Sequence, residues 1–141
     1  GGGPTFRETD LSTVFVLMYN ILNQNAGAKY YLTDKEGILN EIECGVKTMI
    51  LIHGFTGSAK TSWCEAAKTE MFRKYYCNVW CLDWEYIAAG PWYDYAAEGA
   101  CNVGKYLGEL LAYLHNSGCI SLDLVRIWGH SLGAHVAGCA G

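Results

Sequence analysis

Five residues near the end of the chain, Gly129-His130-Ser131-Leu132-Gly133, have the form G-x-S-x-G. A serine between two such glycines can attack an acyl carbon if a sharp strand-to-helix turn lifts its Oγ clear of the backbone. Gly129 and Gly133 suit that turn because it brings backbone segments together and leaves no room for side chains beside the serine. The N–H of Leu132, at the start of the following helix, then faces the developing oxyanion, and the helix dipole adds to its stabilisation. The motif is short and gains specificity from its flanks, an apolar strand before it and a run of small residues after it. The competing reading is a phosphate-binding turn, but no G-x-G-x-x-G accompanies it. A second group, His53-Gly54-Phe55, follows the buried apolar run Thr48–Ile52. The loop after an earlier strand is where a second oxyanion donor would come from, and the amide of Phe55 is the candidate.

These groups need elements to hold them. Thr13–Tyr19 is rich in β-branched and aromatic residues and predicts a first strand, followed by a polar stretch from Asn20 to Lys29. Thr33-Asp34-Lys35-Glu36 has the form of a capping box opening a short helical turn. Thr48–Ile52 predicts a strand buried on both faces. Ser62-Trp63-Cys64-Glu65 is a second capping box. It predicts an amphipathic helix to about Tyr76, with Trp63, Ala67, Met71 and Phe72 or Tyr75 on its apolar side. Val79–Leu82 predicts the next strand, ending at Asp83-Trp84. An aromatic-rich loop from Tyr86 to Tyr95 contains the breaker Gly90-Pro91. Ala96–His115 predicts a helix from the spacing of Ala100, Val103, Leu107, Leu110 or Leu111, and Leu114, stopped at Gly118. Leu124–Trp128 predicts a strand and Ala134–Gly141 a helix. From residue 48 the order is strand, helix, strand, helix, strand, helix, which predicts a mostly parallel sheet covered by helices.

The composition is compatible with such a core: of 141 residues, 51% are apolar and 17% charged. By length this is one domain. A net charge of −4 argues against a nucleic-acid partner. The longest apolar run, Val14–Tyr19, is too short for a transmembrane segment. Seven cysteines lack the paired short spacings of a zinc site, so no metal is expected, and no cofactor motif is present. A disulfide framework fits better and implies a secreted, extracellular protein. The alternative is a set of free buried thiols. The odd count leaves at least one cysteine unpaired or paired outside the chain. Cys64 and Cys77 flank the helix 62–76 and could tie its start to the next strand, while Cys81, within the apolar strand, reads as a buried free thiol. Connectivity itself is not readable from sequence. Trp92 and Tyr93 could line an acyl site or belong to an ordinary surface loop.

Ile52-His53-Gly54-Phe55, Leu82-Asp83-Trp84 and Gly129-His130-Ser131-Leu132-Gly133-Ala134-His135-Val136-Ala137-Gly138, at these separations, resemble the pancreatic lipase family of lipases and phospholipases A1. The resemblance runs from about Thr13 to the last residue. It implies an α/β-hydrolase fold, secretion, and cleavage of acyl esters in triacylglycerols or phospholipids. It also implies Ser131 as nucleophile and the amides of Phe55 and Leu132 as the oxyanion hole. Asp83 matches a family position with a structural role, and His135 one packed within a helix.

A serine hydrolase of this fold needs Ser, then Asp or Glu, then His, in chain order. Ten residues follow Ser131, none acidic, and the one histidine among them is His135. His130 is the variable residue of the motif, His53 belongs to the oxyanion loop and His115 ends a helix. The expectation is therefore that residues 1–141 are the N-terminal portion of the catalytic domain, cut after the helix that follows Ser131. The Asp and His, a lid and any C-terminal lipid-binding domain would then lie beyond residue 141, or the pair would come from a second chain. The partner is a lipid substrate or a lipid–water interface. The competing expectation is a lipid-binding or storage relative without turnover.

Overall fold

The computed structural model describes residues 11–54, 62–84, 93–130 and 133–141, with only the backbone of Ser62 and of residues 93–98. Among these residues five strands form one sheet. They are β1 (Phe15–Tyr19), β2 (Ala28–Tyr31), β3 (Lys47–Ile52), β4 (Cys77–Asp83) and β5 (Val125–Gly129). Among the described residues four α-helices accompany them: α1 (Lys35–Glu41), α2 (Ser62–Lys74), α3 (Tyr93–Asn116) and α4 (Gly133–Ala140).

The strand order is β2-β1-β4-β3-β5. β4 and β5 both pair with β3 in parallel, while β1 pairs antiparallel with β4 and with β2. The sheet is thus mixed rather than mostly parallel. No helix lies between β1 and β2, so the chain returns as a neighbouring antiparallel strand, whereas β3, β4 and β5 are joined through helices. The β2 strand falls partly inside the stretch read as polar. It is a short edge strand whose residues alternate between half-buried and exposed, so it lacks the apolar run that marks β3.

Side chains of the central strands alternate between two cores. Met49, Leu51, Val79 and Cys81 face α2, with Cys64 and Phe72 from that helix. Phe72 supplies the contact left open between it and Tyr75, which is 42% exposed. Ile50, Ile52, Trp80 and Leu82 face the other way, against Val103, Leu107, Leu110 and Leu114 of α3, Ile38 of α1 and Val136 of α4. Helices on opposite faces follow from topology. The step from β3 to β4 and the step from β4 back across to β5 run in opposite directions along the sheet. Right-handed crossovers must then place α2 and α3 on opposite sides. The reversal falls between β3 and β5, whose C-terminal ends are level at Ile52 and Gly129. In open α/β sheets such a switch point creates a crevice beyond the strand ends.

Local signals position the helices. The N-cap of α1 is Asp34, one residue later than the capping box suggests. Its carboxylate accepts from the N–H of Gly37 at 2.9 Å. α3 stops where Gly118 adopts φ of 77° and the N–H of Cys119 reaches back to the carbonyl of Leu114.

Six of the seven cysteines pair, as Cys44–Cys119, Cys64–Cys81 and Cys101–Cys139. The Cys64–Cys77 tie does not form, and Cys77 is the buried free thiol in place of Cys81. A crossover helix runs antiparallel to the strands it connects. The start of α2 therefore lies over the end of β4, where Cys81 sits. Cys77 opens β4 and lies under the last turns of α2, its Sγ 3.9 Å from the carbonyl oxygen of Met71.

Candidate active site

The strand β5 ends at Gly129 and α4 begins at Gly133. Two hydrogen bonds tie the described residues on either side together. The N–H of His130 donates to the carbonyl of Ile52 at 2.9 Å, and the N–H of Gly133 to the carbonyl of His130 at 2.9 Å. A Cβ on Gly129 would run into the backbone of Gly133 and Ala134. A Cβ on Gly133 would run into the carbonyls of Ile52 and His53 at the end of β3. Each glycine is therefore required by close backbone approach, the first within the turn and the second between the turn and its neighbouring strand. Ser131 and Leu132, between them in sequence, and Phe55, two residues beyond His53, lie outside the described residues. So does Trp92, and so does the side chain of Tyr93.

The end of β3 is joined as tightly to β4. His53 is 2% exposed and Trp84 fully buried. His53 Nδ1 lies 2.8 Å from the carbonyl oxygen of Gly54, and its Nε2 lies 3.0 Å from the backbone nitrogen of Trp84. An amide nitrogen can only donate, so Nε2 accepts and the ring proton sits on Nδ1, which donates to Gly54. The indole Nε1–H of Trp84 donates to the carbonyl of His53 at 2.9 Å, and the two rings stack with centroids 5.6 Å apart. Asp83 Oδ1 stands 3.9 Å from His53 Nε2. With that nitrogen accepting from Trp84 the ring is neutral, so the approach is not the Asp–His hydrogen bond of a catalytic triad. Asp83 is buried at the end of β4, consistent with a structural role.

The other histidines stand apart. His130 is exposed and its ring tilts against Trp63 at 5.2 Å, joining the turn to the start of α2. His115 closes α3 against the carbonyl of Ile120 at 3.1 Å. His135 is exposed rather than packed. The buried side of α4 carries Gly133 and Val136, and residue 135 is two positions, about 200°, from Gly133. The contacts of His53 and Trp63 were not read from sequence. The only signal for His53 was its place between a buried strand and a glycine.

Helices on both faces of a sheet, and a glycine-built strand–turn–helix at its switch point, place the molecule in the α/β class that includes the α/β-hydrolases. The chain belongs to the lipase family, whose model, described as Lipase, matches residues 5–141. It is 35% identical over 126 residues to pancreatic lipase-related protein 2 of Cavia porcellus, covering 89% of this chain and 29% of that protein. It is 34% identical to a phospholipase A1 of Vespa velutina, covering 76% of this chain and 38% of the relative. It is 32% identical to inactive pancreatic lipase-related protein 1 of Mus musculus, covering 89% and 26%. The chain thus spans between a quarter and two-fifths of these relatives' lengths.

Proposed function

We propose that the protein is a secreted serine hydrolase that cleaves acyl esters of glycerolipids or phospholipids. The observation that carries the reading is the exclusion of side chains at Gly129 and Gly133. Two glycines forced by backbone approach, four residues apart between a parallel strand and a helix, are what a nucleophile-bearing turn demands. In this reading Ser131 gives its hydroxyl proton to a histidine as its Oγ attacks the ester carbonyl carbon. The amides of Phe55 and Leu132 hold the oxyanion, the alcohol leaves with a proton from a histidine, and water then releases the acyl group from Ser131. In this reading the histidine and its acid partner lie outside residues 1–141, and the chain spans between a quarter and two-fifths of the lengths of the relatives above. Residues 1–141 alone are expected to show no turnover. The chemistry calls for no metal or cofactor. Secretion is supported by the three disulfides, which persist in oxidising compartments.

A relative named inactive favours a second reading, a lipid-binding protein without turnover. A fluorophosphonate probe on the full-length protein separates the two. Labelling at Ser131, absent in Ser131→Ala, is the expected result; no labelling of the intact protein overturns the hydrolase reading. Release of fatty acid from triacylglycerol against phosphatidylcholine then decides the substrate class.

A further inference from the structure

We propose that β1, α1 and β4 share a binding site for a single water molecule, held by the indole N–H of Trp80. Trp80 lies in the middle of β4 and is fully buried. Its Nε1 is buried too, and no group among the described residues accepts from it. The register gives the reason. On its face of the sheet Trp80 has Met18 of β1 on one side and Ile50 of β3 on the other, and neither side chain carries an oxygen. A buried donor left unmade costs more than an ordinary hydrogen bond returns. A Trp at such a position, where Phe would fill the core without that cost, points to an acceptor close by.

Trp80 also lines a pocket that it shares with Asn20, Glu41 and Asn78. The room in it, about 10 Å³, suits one water molecule and nothing larger. Asn20 follows the end of β1, Glu41 ends α1 and Asn78 is the second residue of β4. The pocket therefore lies toward the end of the sheet opposite the G-x-S-x-G turn, and the proposal stands apart from the hydrolase reading.

The polar groups around the pocket match what a water molecule can offer. Nδ2 of Asn78 donates to the carbonyl of Glu43 at 3.0 Å and to Oγ1 of Thr48 at 3.2 Å. The Thr48 hydroxyl spends its own proton on the carbonyl of Val46. Both partners of Asn78 thus accept, which fixes the orientation of its amide and leaves Oδ1 as an acceptor. Asn20 is the reverse case. Its Oδ1 already accepts from the N–H groups of Leu22 and Asn23, which leaves Nδ2 as a donor. Glu41 adds a carboxylate, which accepts, and Trp80 an indole, which only donates. Two donors and two acceptors are the complement of one water, which accepts twice and donates twice. A cation cannot accept from the indole, and an anion would face the Glu41 carboxylate and Oδ1 of Asn78. The water so held ties the last turn of α1, a helix of seven residues, to the ends of two strands.

The test is a crystal structure of the full-length protein at a resolution that shows ordered waters. The expected result is one density peak in the pocket, about 3 Å from Nε1 of Trp80 and from polar atoms of at least two of Asn20, Glu41 and Asn78. A pocket without a peak, a peak out of reach of Nε1, a peak with the scattering of an ion, or an indole bonded to a protein atom overturns the site. In solution the indole proton of Trp80, assigned by its disappearance in Trp80→Phe, is expected to show direct magnetisation transfer with water. Lack of that transfer overturns the site as well. Should W80F fail to fold, the crystal structure decides alone.

Discussion

Gly133 has its Cα side turned to the carbonyls of Ile52 and His53, and a methyl group there would overlap backbone atoms that a neighbouring strand holds in place. Strand backbone cannot yield as a flexible side chain can, so relief must come from moving the start of α4. Gly133→Ala is therefore expected to lose about 1–3 kcal/mol of stability by overpacking, read by denaturant unfolding. Its rate of fluorophosphonate labelling should fall by more than that destabilisation explains. Wild-type labelling by G133A would mean the turn can relax without disturbing its serine. Cys77 makes a contrasting case. It is 1% exposed, and burial pushes its thiol above the usual range, with Lys47 pulling weakly the other way. The thiolate is the reacting form, so the raised pKa and the lack of access both suppress alkylation. Iodoacetamide at pH 8 should leave the Cys77 peptide unmodified in the folded protein and modify it fully in denaturant. Comparable labelling in both states would show that the last turns of α2 lift off β4.

The helix α4 is short, only Gly133–Ala140, so it draws little stability of its own. It is held by close approach to α3. A Cβ on Gly104 would meet the carbonyl of Val136 and, at 2.8 Å, the Cβ of Cys139, and one on Gly108 would sit 3.0 Å from the carbonyl of Ala140. The Cys101–Cys139 disulfide spans the same contact. Gly104→Ala gains intrinsic helix propensity of about 1 kcal/mol, yet it should be net destabilising, because it pushes α4 away from α3 against that disulfide. A lower unfolding midpoint in G104A is the expected measurement; a higher one would show that the helices can separate freely. This crossing was not legible in the sequence, since glycines within a helix read only as weak helix formers. The main elements were legible where burial writes a period. Ala100, Val103, Leu107, Leu110 and Leu114 mark α3, and the apolar run Met49–Ile52 marks β3 as a strand covered on both sides. Where burial is partial the signal fades, as in β2. At the site, the G-x-S-x-G spacing marked the two glycines, while the bonds of His53 and Trp84 depend on the alignment of strand ends, which no local pattern encodes. The cysteine pairing was hidden for the same reason.

Across the whole molecule the three disulfides link different pairs of elements. Cys64–Cys81 fixes α2 to the sheet, and Cys101–Cys139 fixes α4 to α3. Cys44–Cys119 joins the segment before β3 to the segment after α3, where the N–H of Gly45 also donates to the carbonyl of Cys119 at 2.8 Å. The closed loops differ in length, with sequence separations of 17, 38 and 75. If constraint of the unfolded chain dominates, removing the shortest loop costs about 3 kcal/mol and removing the longest about 4.5. Replacing each pair by alanines and measuring unfolding should then rank Cys44–Cys119 as the largest loss in stability. Activity is expected to rank differently. Cys44–Cys119 lies at the ends of the strands opposite the G-x-S-x-G turn, and losing it loosens the unfolded chain without releasing the joint of β3, β4 and β5. Cys101–Cys139 holds the helix that starts at Gly133, so its loss frees one side of that joint even in the folded state. The expected pattern is the greatest loss of stability from the first pair and the greatest loss of labelling per folded molecule from the second. Equal effects of both pairs on both measurements would mean that the molecule responds as one cooperative body, with no separate mechanical path from α3 to the turn.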